Sequence, residues 1–333
     1  MKRYAYIILI IAFALIGCKR EKRHADLTGI DFEVKIERFD SAFWTLDTTK
    51  VAEEFQRLMV EYPDITPIYT ENVVRFGHPD SAITHETYLF FRRDTAVQRL
   101  YTDALKIYSD MSDIERDLTT AFRRARYFLP QFATPNVYCH VSGLNQSLII
   151  DETFISLSID NYLGEEYPLY KQIGIYKYQR PNMRREKVAS DYITAWLSSE
   201  FSTNLANNLL TDIIHRGKIL YTVSVLLPET PEHVIMGYSK EQWDWVKNNE
   251  TSMWNSLIYT KDLYTTNMIT KNKYINDGPF TLPFTQESPG RAGVYIGWQI
   301  VESYMRHNPE ISIQQLLQQP DAQVILNNSN YKP

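Results

Sequence analysis

The chain has 333 residues, of which 44% are hydrophobic, and carries a net charge of −5 with only two cysteines. That is ample material for a large core. Lys and Arg are spread along the chain without a basic stripe, so no nucleic-acid partner is expected.

The chain opens MKRYAYIILIIAFALIGCKREKR. Lys2 and Arg3 precede an apolar run, 5–16, that falls short of the roughly 20 residues needed to span a bilayer, so 1–17 read as a signal peptide. Leu15-Ile16-Gly17-Cys18 fits a bacterial lipobox, in which the cysteine thiol accepts a diacylglyceryl group and becomes the first residue of the mature protein. Cys18 is therefore the expected lipid attachment site, palmitate-type chains included. The alternative is an ordinary signal peptide with an incidental cysteine. Each buried methylene contributes about 0.8 kcal/mol, so two or three acyl chains hold a protein at a membrane without spanning it. Residues 18–30 read as a lipidated tether. Lys19, Arg20, Lys22 and Arg23 either sit among headgroups, at about 1 kcal/mol per charge, or are simply solvated. With Cys18 acylated, Cys139 has no partner for an intrachain disulfide.

A single domain is expected over 31–333. VKIERFDSAFW reads as a short strand leading into a helix, and DTTKVAEEFQRLMVEYP continues helically to Pro63. Pro63, Pro67 and Pro79 mark a loop. Two helices follow, broken near Ser112, where a serine and an aspartate can cap the second, and Pro130 ends the pair. Residues 31–130 thus form a helical layer. Between 135 and 164 the pattern changes to period two in NVYCHVSG, QSLIIDET and FISLSIDNYLG, which read as a small three-stranded sheet. Residues 184–333 are mostly helical, with segments near 184–202, 205–227, 239–248, 250–263, 291–307 and 312–318. Trp243, Trp245, Trp254, Tyr259 and Tyr264 crowd one region, as helix-packing core or as a shelf for stacking a ligand.

The blocks FISLSIDNYLG, VASDYITAWLSSEF, LLTDIIHRGKILY, GYSKEQWDWVKNNE and PGRAGVYIGWQIVESYM, with the ending NNSNYKP, together resemble the gliding-motility lipoprotein B (GldB) family. That family in turn resembles predicted zinc-dependent proteases of zincin type, which place a small sheet before a His-Glu-x-x-His helix and take a third ligand from a later helix. The resemblance implies an α+β, mostly helical, zincin-like scaffold. In the motif, histidines one turn apart reach one zinc ion and the glutamate polarises its water. Here Ser190 and Thr194 stand where the histidines belong and Asp191 where the glutamate belongs, while His215 falls near the third ligand or is a packed helical histidine. The expectation is a pseudo-metallopeptidase with no metal, no cofactor and no catalytic residues.

The same helix has an ordinary structural role, since Val188, Tyr192 and Trp196, with Ala189, Ile193, Leu197 and Phe201, make a broad apolar face. In ESPGRAGVYIGWQIVESYM, Gly293 and Gly297 form a small-xxx-small face for close packing on the former metal helix, and Arg291 lies where free backbone amides can hold an anion. Ser190, Asp191, Thr194, His215 and Arg291 are the candidate binding cleft. The resemblance implies an envelope lipoprotein supporting gliding motility or related secretion and envelope machinery, whose partner is an envelope protein or a wall polymer. Lys19 after the lipidated cysteine favours the outer membrane, facing the periplasm. The alternatives are an active hydrolase, for which HETYL at 85–89 lacks a second histidine and Ser147 lacks a nucleophile elbow, and a carbohydrate-binding module on the aromatic shelf.

Overall fold

A computed structural model describes residues 23–145, 148–202 and 208–333. Cys18, Lys19, Arg20, Lys22 and Ser147 lie outside the described residues. Among the described residues no helix is long and apolar enough to cross a membrane.

The fold is α+β and mostly helical, around one small sheet. Strand β1 (Ile36–Glu37) leads into α1 (Phe39–Trp44), α2 (Val51–Glu61) and α3 (Ile65–Ile68), which runs on into a π-helical turn, Tyr69–Val73. Helices α4 (Ala82–Arg93), α5 (Thr95–Ile107) and α6 (Ser112–Phe128) follow. The prolines made 63–79 read as loop, yet Pro67 lies within the first turn of α3, where its missing N–H is no loss. Asp94 caps α5 by accepting from the Ala96 and Val97 amides. Helix α6 has no side-chain cap of its own; Asp110 instead accepts from the Ser112 amide at 2.9 Å.

Strands β2 (Asn136–His140), β3 (Leu148–Ile150) and β4 (Phe154–Ser158) complete a sheet of order β1-β2-β4-β3. It has four strands, not the three expected. The fourth is β1, the short strand read in VKIERFDSAFW, which pairs parallel with β2 through Ile36↔Val137 and so joins a sheet its local pattern did not assign it to. β2 and β4 are parallel, β3 and β4 antiparallel. Every residue of β4 is buried, Ser156 and Ser158 included, so both faces of this strand are covered although its pattern reads as period two.

At the end of this sheet His140 is wholly buried, its Nδ1 2.7 Å from Ser156 Oγ, while Nε2 has no partner. Burial pushes its pKa down to about 3. The unfolded chain takes up this proton near pH 6.5 and the folded one only near 3, so between those values the unfolded state binds more protons and stability falls as the pH falls. The loss is on the order of a few kcal/mol across that window. His215, lowered to about 4 by burial, adds to it with the same sign. Asp160, raised by burial, acts in the opposite direction. Thermal midpoints between pH 7 and pH 4 are expected to drop, and His140→Asn to flatten the slope; an unchanged slope in that variant would contradict the assignment.

The C-terminal half comprises α7 (Pro168–Gln172), α8 (Val188–Glu200), α9 (Leu209–Leu226), α10 (Glu232–Met236), α11 (Lys240–Asn248), α12 (Glu250–Thr260), α13 (Met268–Ile275), α14 (Ala292–His307), α15 (Ile313–Gln318) and α16 (Ala322–Ser329). Helix α8 buries Val188, Ala189, Tyr192, Ile193, Trp196 and Leu197, and fits between the sheet and α6. Its Tyr192 hydroxyl donates to Ile155 O on β4, and Trp196 meets Phe122 of α6 edge-on at 5.2 Å. Helices α9 and α14 form the centre, their backbones brought together at Gly217 and Gly297.

Residues 23–30, read as tether, are laid on the domain. Arg123 donates to Ile30 O, Arg124 donates to both Arg23 O and Val225 O, and Arg23 donates to Pro309 O and Met305 O. The start of the described chain is thereby fixed to the C-terminal ends of α9 and α14, and Arg23 is used there, not on headgroups.

Candidate functional site

A cleft of about 380 Å³ opens at the N-terminal end of α14. Six stretches build it: the 3₁₀ turn after β4 with Asn161 and Tyr162, the loop carrying Tyr178, Gln179 and Asn182, the first turn of α8 with Asp191, and the segments at 237–238, 277–278 and 290–291. Asp160 sets the first of these in place. Its carboxylate accepts from the Ser142 and Leu144 amides and from Ser158 Oγ, which fixes the turn that carries Tyr162.

Asp191 forms the floor. One carboxylate oxygen lies 2.6 Å from Lys187 Nζ and the other accepts from the Tyr162 hydroxyl at 3.0 Å. Lys187 also donates to Ser190 Oγ and Ile235 O, both at 3.2 Å. The Lys187 side chain is 6% exposed and that of Asp191 29%, so this pair seals the base of the cleft. Burial pulls the Lys187 pKa down and the adjacent carboxylate partly restores it.

Arg291 forms the opposite wall. It is held at φ 49° immediately before α14 and donates to Met236 O and, from Nε, to Asp277 Oδ1 at 3.2 Å. Gly237 permits this approach: it has φ 78°, and a Cβ there would lie 3.0 Å from Arg291 Nη2 and 3.1 Å from the Asn182 amide. The Tyr238 hydroxyl fastens the wall by donating to Gly290 O at 2.7 Å. The first amide of α14 is not open to an anion, because Ala292 N donates to Thr281 Oγ1 at 2.8 Å.

Of the five candidate residues the structure brings Asp191 and Arg291 into one cleft and leaves the other three out. Ser190 is wholly buried, its hydroxyl donating to Lys187 O. The Thr194 hydroxyl donates to Ser190 O at 2.6 Å within its own helix. His215 lines a different hollow with Lys218, Phe201 and residues 317–320. These positions do not fit a zinc ion: two of them have their hydroxyls committed to backbone carbonyls, and the imidazole is elsewhere. Among the described residues no group of three or more His, Cys, Asp or Glu side chains could hold a metal.

The glycine face of α14 packs, though not on α8 as expected. Gly297 meets Ile213 of α9 and Gly293 meets Tyr274 of α13. The aromatic region is packed too. Trp243 stands edge-on to Tyr295 at 5.4 Å and Trp254 edge-on to Tyr331 at 5.2 Å, leaving Tyr259 and Tyr264 exposed.

Sequence reading missed Lys187, Tyr162, Tyr178, Asn182 and Asp277. Only Lys187 left a local signal, since Lys187 and Asp191 are spaced i, i+4 across the start of a helix. The rest come from loops that nothing nearby in sequence aims at the cleft.

No curated protein and no solved structure matches the chain. The sequence model of the family described as Gliding motility protein GldB matches residues 20–333. With nearly its whole length matched, the chain belongs to the GldB family of gliding-motility lipoproteins.

Proposed function

We propose that this lipid-anchored envelope protein is non-catalytic and supports gliding motility, or the related envelope and secretion machinery, by holding a partner in the cleft between Asp191 and Arg291. The anchor is an acylated Cys18, and the outer membrane, facing the periplasm, is its favoured place. The partner is an envelope protein or a wall polymer. On this reading the scaffold descends from a zincin-like metallopeptidase whose metal ligands were replaced. One observation carries it: the side chains at the three former motif positions are all spent inside the protein. Ser190 and Thr194 donate to backbone carbonyls, and Asp191 is divided between Lys187 and Tyr162.

Two measurements on the purified lipoprotein test this. After dialysis it is expected to hold far less than one zinc per chain, with a melting temperature indifferent to chelators, because a bound metal would add stability by mass action. Zinc retained in stoichiometric amount would overturn the non-catalytic reading. Capture of neighbours from envelope is expected to be lost on Gln179→Ala or Asn182→Ala. These variants are better probes than changes at Asp191 or Arg291, which also hold the fold through Lys187 and Met236 O. Undiminished capture by both would refute the cleft as the binding site.

A further inference from the structure

We infer that the cleft takes a neutral, polyhydroxylated ligand, an oligosaccharide; this deepens the partner-binding reading and rests on it. The charges in the cleft are already matched. Asp191 is held by Lys187 and Tyr162, and Arg291 by Asp277, so an ionic ligand of either sign would have to break a pair to gain one. A long aliphatic anchor, from a peptide or a lipid, would find Ile175 and Met183 as the aliphatic side chains of a lining otherwise made of tyrosines, amides, glycines and charged groups.

What the cleft offers instead is amide. The Gln179 and Asn182 side chains make no hydrogen bond to the protein among the described residues, and Gln242 gives only its carbonyl oxygen, to the Ser239 amide. A primary amide presents two donors and an acceptor in one plane, and a sugar hydroxyl is both donor and acceptor, so neighbouring hydroxyls on a ring can satisfy both ends of an amide at once. Beside these amides stands an aromatic plate. Tyr178 lines the cleft and is stacked on Tyr176, ring centres 5.5 Å apart and planes 11° from parallel, with Tyr176 64% exposed. A rigid, amphipathic ring pair of this kind gives the C–H face of a pyranose a large surface without burying its hydroxyls. The volume, about 380 Å³, lies within the range of small-ligand sites, roughly 300–1,000 Å³. The plate is Tyr176 and Tyr178; Trp243 and Trp254, the aromatic residues that stand out in sequence, are packed on other rings.

The test uses the full lipoprotein in detergent on an array of neutral and anionic oligosaccharides, with titration calorimetry on the tightest neutral member. Neutral members are expected to bind. Tyr178→Ala and Asn182→Ala are each expected to weaken binding about tenfold or more, and Tyr178→Phe to keep it within about twofold, since the ring is retained. Melting temperatures recorded alongside separate lost contacts from lost fold, and Gln179→Ala, at an exposed position, is the second variant should Asn182→Ala destabilise. Binding confined to anionic sugars, or absent, overturns the proposal. If sugars fail while envelope capture still depends on Asn182 and Gln179, the ligand class is wrong and the cleft reading stands. If neither sugar binding nor capture responds to these variants, both fall.

Discussion

Gly297→Ala is expected to lower stability by at least the upper end of the range for overpacked sites, about 1–3 kcal/mol, and to broaden or abolish the cooperative unfolding transition. A Cβ at 297 would lie 1.9 Å from Ile213 O and 2.4 Å from Ile213 C, and one at Gly217 would lie 2.5 Å from Gly297 C and O. These are backbone atoms of a neighbouring helix, so no rotamer change relieves the clash. The helices must separate, and α14 carries Ile296, Trp298, Ile300 and Val301, all wholly buried. Gly278→Ala is the control. There the nearest atom to a new Cβ is Phe280 O at 3.5 Å, an ordinary contact, and a change within about 0.5 kcal/mol is expected. Denaturant unfolding of the two variants decides it, and a Gly297→Ala protein with the wild-type midpoint would mean that α9 and α14 do not pack at these glycines.

Lys271→Met is expected to cost about 3–5 kcal/mol, while the double change with Asp212→Leu recovers most of it. Lys271 and Asp212 are 2% and 5% exposed, with Nζ 2.7 Å from Oδ2, joining α13 to the first turn of α9. Asp212 Oδ1 has no hydrogen-bond partner, so the carboxylate depends on this ammonium. Removing the lysine alone leaves a buried carboxylate without its ammonium partner, whereas replacing both ends removes the desolvation cost along with the attraction. A double variant no more stable than the single one would show that the pair contributes through geometry instead of charge.

The sequence showed the parts of this fold that obey a period. α6 and α8 each carry an apolar stripe, and β2 to β4 a β-branched texture, because both follow from which face meets the core. Short elements gave less. β1, two residues long, was read as a strand in VKIERFDSAFW but without its place in the sheet, and α13, MITKNKYI, is half polar and held by its partners: the Asn267 cap, Tyr274 against Phe284, and the pair between Lys271 and Asp212. α16 passed unread for the same reason. The candidate site divides likewise. Asp191 and Arg291 were found through a motif and a glycine-flanked helix start. The hydroxyl of Thr281 that meets the first amide of α14, and the Asp277 that meets Arg291, are tertiary contacts between loops, which no local pattern encodes.

Arg23 and the cleft mark opposite ends of α14, a helix of 16 residues and so about 24 Å long. The stretch from Cys18 to Arg23, drawn out fully, reaches at most about 18 Å. A lipid on Cys18, as proposed, is therefore a leash shorter than the helix it serves. The standoff of the cleft from the bilayer is then set by the tilt of one rigid rod instead of by slack in a linker. A target must come within a shell a few nanometres deep to be caught.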